Sequence, residues 1–194
     1  MSDDSVHQRI TVLRPLLKDA DPEVRSSAAA AIERLEGASA LEEIMYSLKK
    51  GDTGAKIRAI YALGEIGGDK VVAPLVYCAG RPEAGIRAAA IEVLGRITSP
   101  AVLPVLIKHL GDSNGAIQAR AIAALSNFPS SPELFENLRP FLEKQDGSLE
   151  AEAAIALAKL GDLDSLEQII ALLTSPHSST RQAAAKALSL LPLQ

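Results

Sequence analysis

The sequence predicts an all-α fold, an α-solenoid of six helix pairs, and three observations carry that reading. Apolar residues fill 47% of the 194 positions but aromatics only 3%, with no Trp, so Ala, Leu and Ile must do most of the packing. Ala and Leu lose little on entering a helix, so the mixture favours helices. A motif of Ala, then an apolar residue four places on, then a large apolar residue three places further, returns about every 31 residues. Gly and Pro fall between the returns, where helices should stop and start.

Aligned on its central position, the motif reads Ile32, Leu63, Leu94, Leu125, Leu157 and Leu188, at steps of 31, 31, 31, 32 and 31 residues. Four places earlier stands an alanine each time: Ala28, Ala59, Ala90, Ala121, Ala153 and Ala184. Three places later comes Leu35, Ile66, Ile97, Phe128, Leu160 or Leu191. This is the second helix (B) of each unit, with the alanine where its partner approaches closely and the two larger residues filling the seam.

The elements follow in order. The first helix (A) of each unit carries an i, i+3, i+7 triplet on one face: Ile10/Leu13/Leu17, Leu41/Ile44/Leu48, Val72/Leu75/Ala79, Leu103/Leu106/Leu110, Phe135/Leu138/Leu142 and Leu166/Ile169/Leu173. Asp21-Pro22 predicts the start of the first helix B, Ser99-Pro100 that of the fourth helix A, and Ser175-Pro176 that of the last helix B. Gly51, Gly80 and Gly111 are expected to end A helices, and Gly37, Gly67 and Gly161 to follow B helices. Asn127–Pro132 reads as a longer turn. The repeats then run about 6–37, 38–68, 69–98, 99–130, 131–162 and 163–192, in a single domain over 1–194.

The stretches "DPEVRSSAAAAIERLEG" and "AGIRAAAIEVLGRI" resemble the short HEAT-like repeats first grouped under phycobilin lyases, over about 6–191. The Val-Arg pair of such repeats stands as Val24-Arg25, Ile86-Arg87 and Thr180-Arg181, and is replaced by Ile117-Gln118 and Leu149-Glu150. The resemblance implies a right-handed superhelix with A helices outside and B helices lining a concave face. It implies a binding scaffold in the first place and, as an alternative, a lyase-like subunit handling a bilin and its carrier protein. A HEAT-like DNA-repair glycosylase is less favoured, because it wants a basic groove with aromatics. Arg58, Arg87 and Arg120 are expected near the groove mouth, but Glu92, Glu150 and Glu152 share that surface and Tyr61 is its one aromatic.

Twenty basic against 24 acidic side chains give a net charge of −4, which points away from nucleic acid and membrane surfaces. The longest apolar run, 71–80, is half a membrane span. The opening MSDDSVHQRI is acidic where a secretory leader is basic, and Cys78 is the single cysteine, so a cytoplasmic location is expected.

No catalytic residue, cofactor or metal site is expected. His7, His109 and His177 lie at unrelated repeat positions without ligand spacing. Cys78 reads as a small buried hydrophobe on an apolar helix. Gly64, Gly67 and Gly68 lack the lysine of a phosphate loop.

The helix B stripe opposite the core motif is mostly small: Ala30, Gly64, Gly95, Ala119, Ala123 and Ala151 belong to it. Larger groups interrupt it. Ile57, Arg58, Tyr61, Glu92, Arg120 and Ile155 are the candidate concave site for another protein, since Tyr and Arg dominate such contacts. Tyr46, Pro74, Tyr77 and Val105 on helices A form a rival convex face. There Tyr46 and Tyr77 occupy equivalent positions in successive repeats, about 10 Å apart, and the helix A of the third repeat, which carries Tyr77, is apolar all round and so expected to be buried on both sides. That face, or the apolar C-terminal stretch from Leu188, is the candidate for a homodimer.

Overall fold

The computed structural model describes residues 2–193, and among them there are eleven α-helices and no strand. They are α1 (Ser2–Leu13), α2 (Pro22–Lys50), α3 (Thr53–Ile66), α4 (Val72–Ala79), α5 (Ala84–Leu94), α6 (Leu103–His109), α7 (Gly115–Leu125), α8 (Pro132–Leu138), α9 (Leu149–Leu160), α10 (Leu166–Ala171) and α11 (Ser178–Leu190). The fold is all-α, of the α-α superhelix class. Six pairs would give twelve helices; eleven appear because α2 fuses the first helix B to the second helix A.

That fusion corrects the expected turn at Gly37. The helix runs unbroken for 29 residues through it. Its neighbours, Leu35-Glu36 and Ala38 to Glu43, are nearly all good helix formers, and no proline follows. A mid-helix glycine is worth only about 1 kcal/mol against continuation. A Cβ at Gly37 would meet nothing within 4 Å.

The chain divides into two compact units, Met1–Ala59 and Ile60–Gln194, the division falling within α3. In the first, α1 and a 3-10 stretch, Arg14–Lys18, pack on α2. Asp21 caps α2 through its carboxylate, which accepts the Glu23 N–H at 2.8 Å, and Pro22 takes the first turn. The core is thin: among residues 5–59 the buried apolar side chains are Ile10, Ala28 and Ala59.

In the second unit each helix A packs on its helix B (α4 on α5, α6 on α7, α8 on α9, α10 on α11), and the B helices pack in succession from α5 to α11. All six motif alanines are buried, as are Leu63, Leu94, Leu125 and Leu157 at the central position. Two A helices tighten into 3-10 turns at their ends, Arg139–Glu143 and Leu172–Thr174. The tighter winding shifts which side chain points inward, so Leu172 is buried and Leu173, expected on the core face, is exposed. Ile66 departs from the pattern as well. Its helix ends there, Gly67 turns the chain away at φ +65°, and Ile66 is 47% exposed instead of filling the seam. Ser99-Pro100 and Ser175-Pro176 open turns, and their helices begin only at Leu103 and Ser178.

Candidate functional site

The B helices of the second unit approach closely at two glycines. A Cβ on Gly64 would lie 2.7 Å from Val93 Cγ1 on α5, and one on Gly95 would lie 2.4 Å from Ala124 Cβ on α7. These glycines were expected to line an open groove; instead they are contact points between neighbouring helices. Asn127 reinforces the second by donating its side-chain N–H to the Gly95 carbonyl at 3.1 Å.

The close approach brings long side chains from successive B helices to one point. Tyr61 on α3 donates its hydroxyl to Glu92 Oε2 on α5 at 3.1 Å, and Arg120 on α7 donates Nη1 to the same oxygen at 2.9 Å. Arg96, one turn beyond Glu92, donates Nη2 to Oε1 at 2.7 Å. One carboxylate therefore ties together three repeats. Burial, followed by the hydrogen bond and charge of Glu92, pushes the Tyr61 phenol above its ordinary value. Tyr61 is 36% exposed, and the Arg96 and Arg120 side chains are 58% and 49% exposed.

Of the predicted concave residues, the structure joins Tyr61, Glu92 and Arg120. Ile155 is half-buried on α9. Ile57 is half-buried and Arg58 exposed, both in the first unit. Arg96 was missed, although its i+4 spacing from Glu92 was a readable signal.

Two groups assigned to the groove belong elsewhere. Glu150 is buried, accepting the Gln145 N–H at 2.6 Å and the Thr180 hydroxyl at 3.2 Å. Arg87 faces the turn before its own helix: Nη1 donates to the carbonyls of Arg81 and Pro82, and the rest of the guanidinium forms a two-point pair with Asp112. Arg25 bonds Asp19 and Ala20, and Arg181 bonds Ser175 and Pro176, at the same offsets of six and five residues. At these three places the Val-Arg position thus locks the turn between helices A and B.

Of the residues expected on the rival face, Tyr46 in the first unit and Tyr77 in the second are both exposed, and Pro74 and Val105 are half-buried. The helix expected to be buried on both sides, α4, is not: Tyr77 is 65% exposed, with the Arg81 guanidinium over its ring at 5.8 Å. Among the described residues no three His, Cys, Asp or Glu side chains group as a metal site, and no helix is long and apolar enough to cross a membrane. His109 is buried, with ring nitrogens 2.7 Å from the Val105 carbonyl and 2.9 Å from that of Ala79, so it joins α6 to α4.

The family model for HEAT repeats matches residues 10–87, 41–126, 72–146 and 135–192. The chain belongs to the HEAT-repeat family. Among solved structures, this HEAT-repeat chain is similar to the complex of CpcE and CpcF of phycocyanin lyase from Nostoc sp. PCC7120, at 19% identity and TM-score 0.69. That match covers 79% of this chain and 65% of the other, so the chain spans about two thirds of its length. It is also similar to an engineered protein (22% identity, TM-score 0.56, 96% of each chain). A third is a designed armadillo repeat protein in complex with the peptide (KR)4, at 18% identity and TM-score 0.56, over 95% of this chain and 98% of that one. At these identities the likeness is one of fold. No curated protein matches the HEAT-repeat sequence.

Proposed function

We propose that the protein is a non-enzymatic scaffold that binds another protein along its helix B face. One observation carries the reading: Tyr61, Glu92, Arg96 and Arg120, from three consecutive repeats, meet in a half-exposed cluster held by hydrogen bonds. Both Glu92 oxygens are engaged by hydrogen-bond donors, so Glu92 is poorly placed as a general base, and the cluster offers surface and donors. Tyr and Arg are the residues that dominate protein contacts. Repeat proteins bind along such surfaces, and the designed armadillo neighbour is in complex with a peptide, (KR)4.

The test is a photo-crosslinker at exposed Ala123 beside the cluster, with a second at Tyr77 on α4 as control. A partner captured through Ala123 should lose about 2 kcal/mol or more of affinity for Tyr61→Ala with Arg120→Ala, a hot-spot magnitude. Tyr46→Ala with Tyr77→Ala should leave it unchanged. The reverse pattern would move the site to the helix A face.

A lyase-like subunit is the second reading, favoured by the fold match to the CpcE–CpcF complex. Absence of any change in bilin absorbance when the protein is mixed with a bilin and a phycobiliprotein subunit would remove it.

A further inference from the structure

We propose that the Tyr61–Glu92–Arg96–Arg120 cluster takes a peptide segment with a single carboxylate next to an apolar side chain. The carboxylate bridges the two guanidiniums and the apolar side chain lies on the Tyr61 ring. This rests on the helix B face being the binding surface, and adds the chemistry of what it binds.

Charge favours an anion. Two guanidiniums share one carboxylate, so the cluster keeps one positive charge in a chain whose net charge is −4. Geometry favours it too. Each guanidinium uses one N–H on Glu92 among the described residues, at 2.7 and 2.9 Å, and so is held in place before any partner arrives. Prior ordering removes much of the entropy lost on binding, and the remaining forked N–H groups match a carboxylate with paired hydrogen bonds.

A basic segment is disfavoured by the same arrangement. Glu92 Oε2 already accepts from Tyr61 and Arg120, and Oε1 from Arg96, so an incoming ammonium must displace a resident donor. The Tyr61 hydroxyl, tied to Glu92, fixes a partly exposed ring that offers apolar contact area. Ala123, at the Tyr61 position two repeats on, is small and exposed, which leaves room beside the pair. Glu152, at the Arg120 position of the next repeat, is half-exposed and would repel a second carboxylate, which limits the ligand to one.

The experiment uses the full chain and three peptides, Gly-Ser-Leu-Glu-Leu-Ser-Gly and its Gln and Lys counterparts, titrated by NMR. Expected is about tenfold tighter binding of the Glu peptide than the Gln peptide, with the Arg96 and Arg120 side-chain N–H signals shifting, and weaker binding of the Lys peptide. Arg96→Gln with Arg120→Gln should erase the preference while the melting temperature holds. Raised salt should shrink the preference. Equal affinities for the three peptides, or a preference surviving in the double arginine variant, overturns the proposal. If the Lys peptide binds best and Tyr61→Ala abolishes it, the carboxylate assignment falls while the helix B face stands. Absence of binding by all three also overturns it, and the face is then judged by crosslinking.

Discussion

A leucine in place of Ala121 has nowhere to go. The alanine is fully buried on α7, a helix packed by α5, α6 and α9. Ala121→Leu is expected to cost about 1–3 kcal/mol by overpacking, whereas Ala30→Leu, at an exposed position, should be nearly neutral; chemical denaturation of both variants reads the difference. The glycines divide the same way. Gly95→Ala drives a Cβ to 2.4 Å from Ala124 and should destabilise, while Gly37→Ala meets nothing and should stabilise α2 by up to about 1 kcal/mol. The six alanines were legible in the sequence because only a small side chain at fixed period explains them. Glu150 was not legible: its burial depends on the Thr180 hydroxyl, 30 positions away, and no local pattern announces that partner.

At the level of elements, two ion pairs pin turns and titrate. Arg139 holds Asp162 through Nε at 2.8 Å and Nη2, and also reaches Asp164; Ser165 donates to Asp162. Burial raises the Asp162 carboxyl, but the Arg139 and Ser165 hydrogen bonds and the Arg139 charge outweigh it, leaving it below the ordinary carboxylate range. Asp112 behaves likewise, burial being outweighed by Arg87 and the Asn114 N–H. A carboxyl lowered by folding contributes stability above its unfolded value of about 3.9 and loses it as pH falls through the folded value. The denaturation midpoint should therefore drop on acidification below about pH 4, and Asp162→Asn should flatten that drop. Arg87→Gln should cost about 3 kcal/mol, as breaking a mostly buried pair does, and more than Arg181→Gln, which loses bonds to the Ser175 and Pro176 carbonyls alone. The helix pairs were readable from period and caps. The fused α2 was not, because Gly37 marks both a helix end and a tolerated interior position, and its neighbours decide between them.

Across the whole molecule the core is unevenly supplied. Residues 60–193 contain most of the buried side chains, while α1 and α2 bury little and leave a cleft of about 250 Å³ lined by Val6, His7, Ile10, Glu36, Ser39, Ala40 and Glu43. In repeat proteins, stability is close to a sum over units and their neighbours, so thinly packed units open first. Amides of α1 and α2 should exchange about a hundredfold faster than those of α5, α7 and α9, as hydrogen exchange with mass spectrometry can measure. Equal protection throughout would show that the first unit draws stability from contacts beyond its own sparse core. The repeat class was legible because a period is a global property of the sequence. The Glu92 cluster was only half legible, since the side chains that meet depend on how far one helix B slides along the next, and Gly64 and Gly95 set that distance.

The arginine that closes a turn by bonding carbonyls five and six residues behind it has a consequence for how such a chain can grow. Donor and acceptors lie within one seven-residue segment, so the fastening is inherited whole when that segment is copied. A duplicated repeat arrives with its corner already secured, and only its flanks must fit new neighbours. The copies bearing Lys56, Gln118 and Glu150 at that position lack the arginine. Glu150 instead accepts from Thr180 in the following repeat, so the fastening of that copy is shared with its successor and does not travel with it.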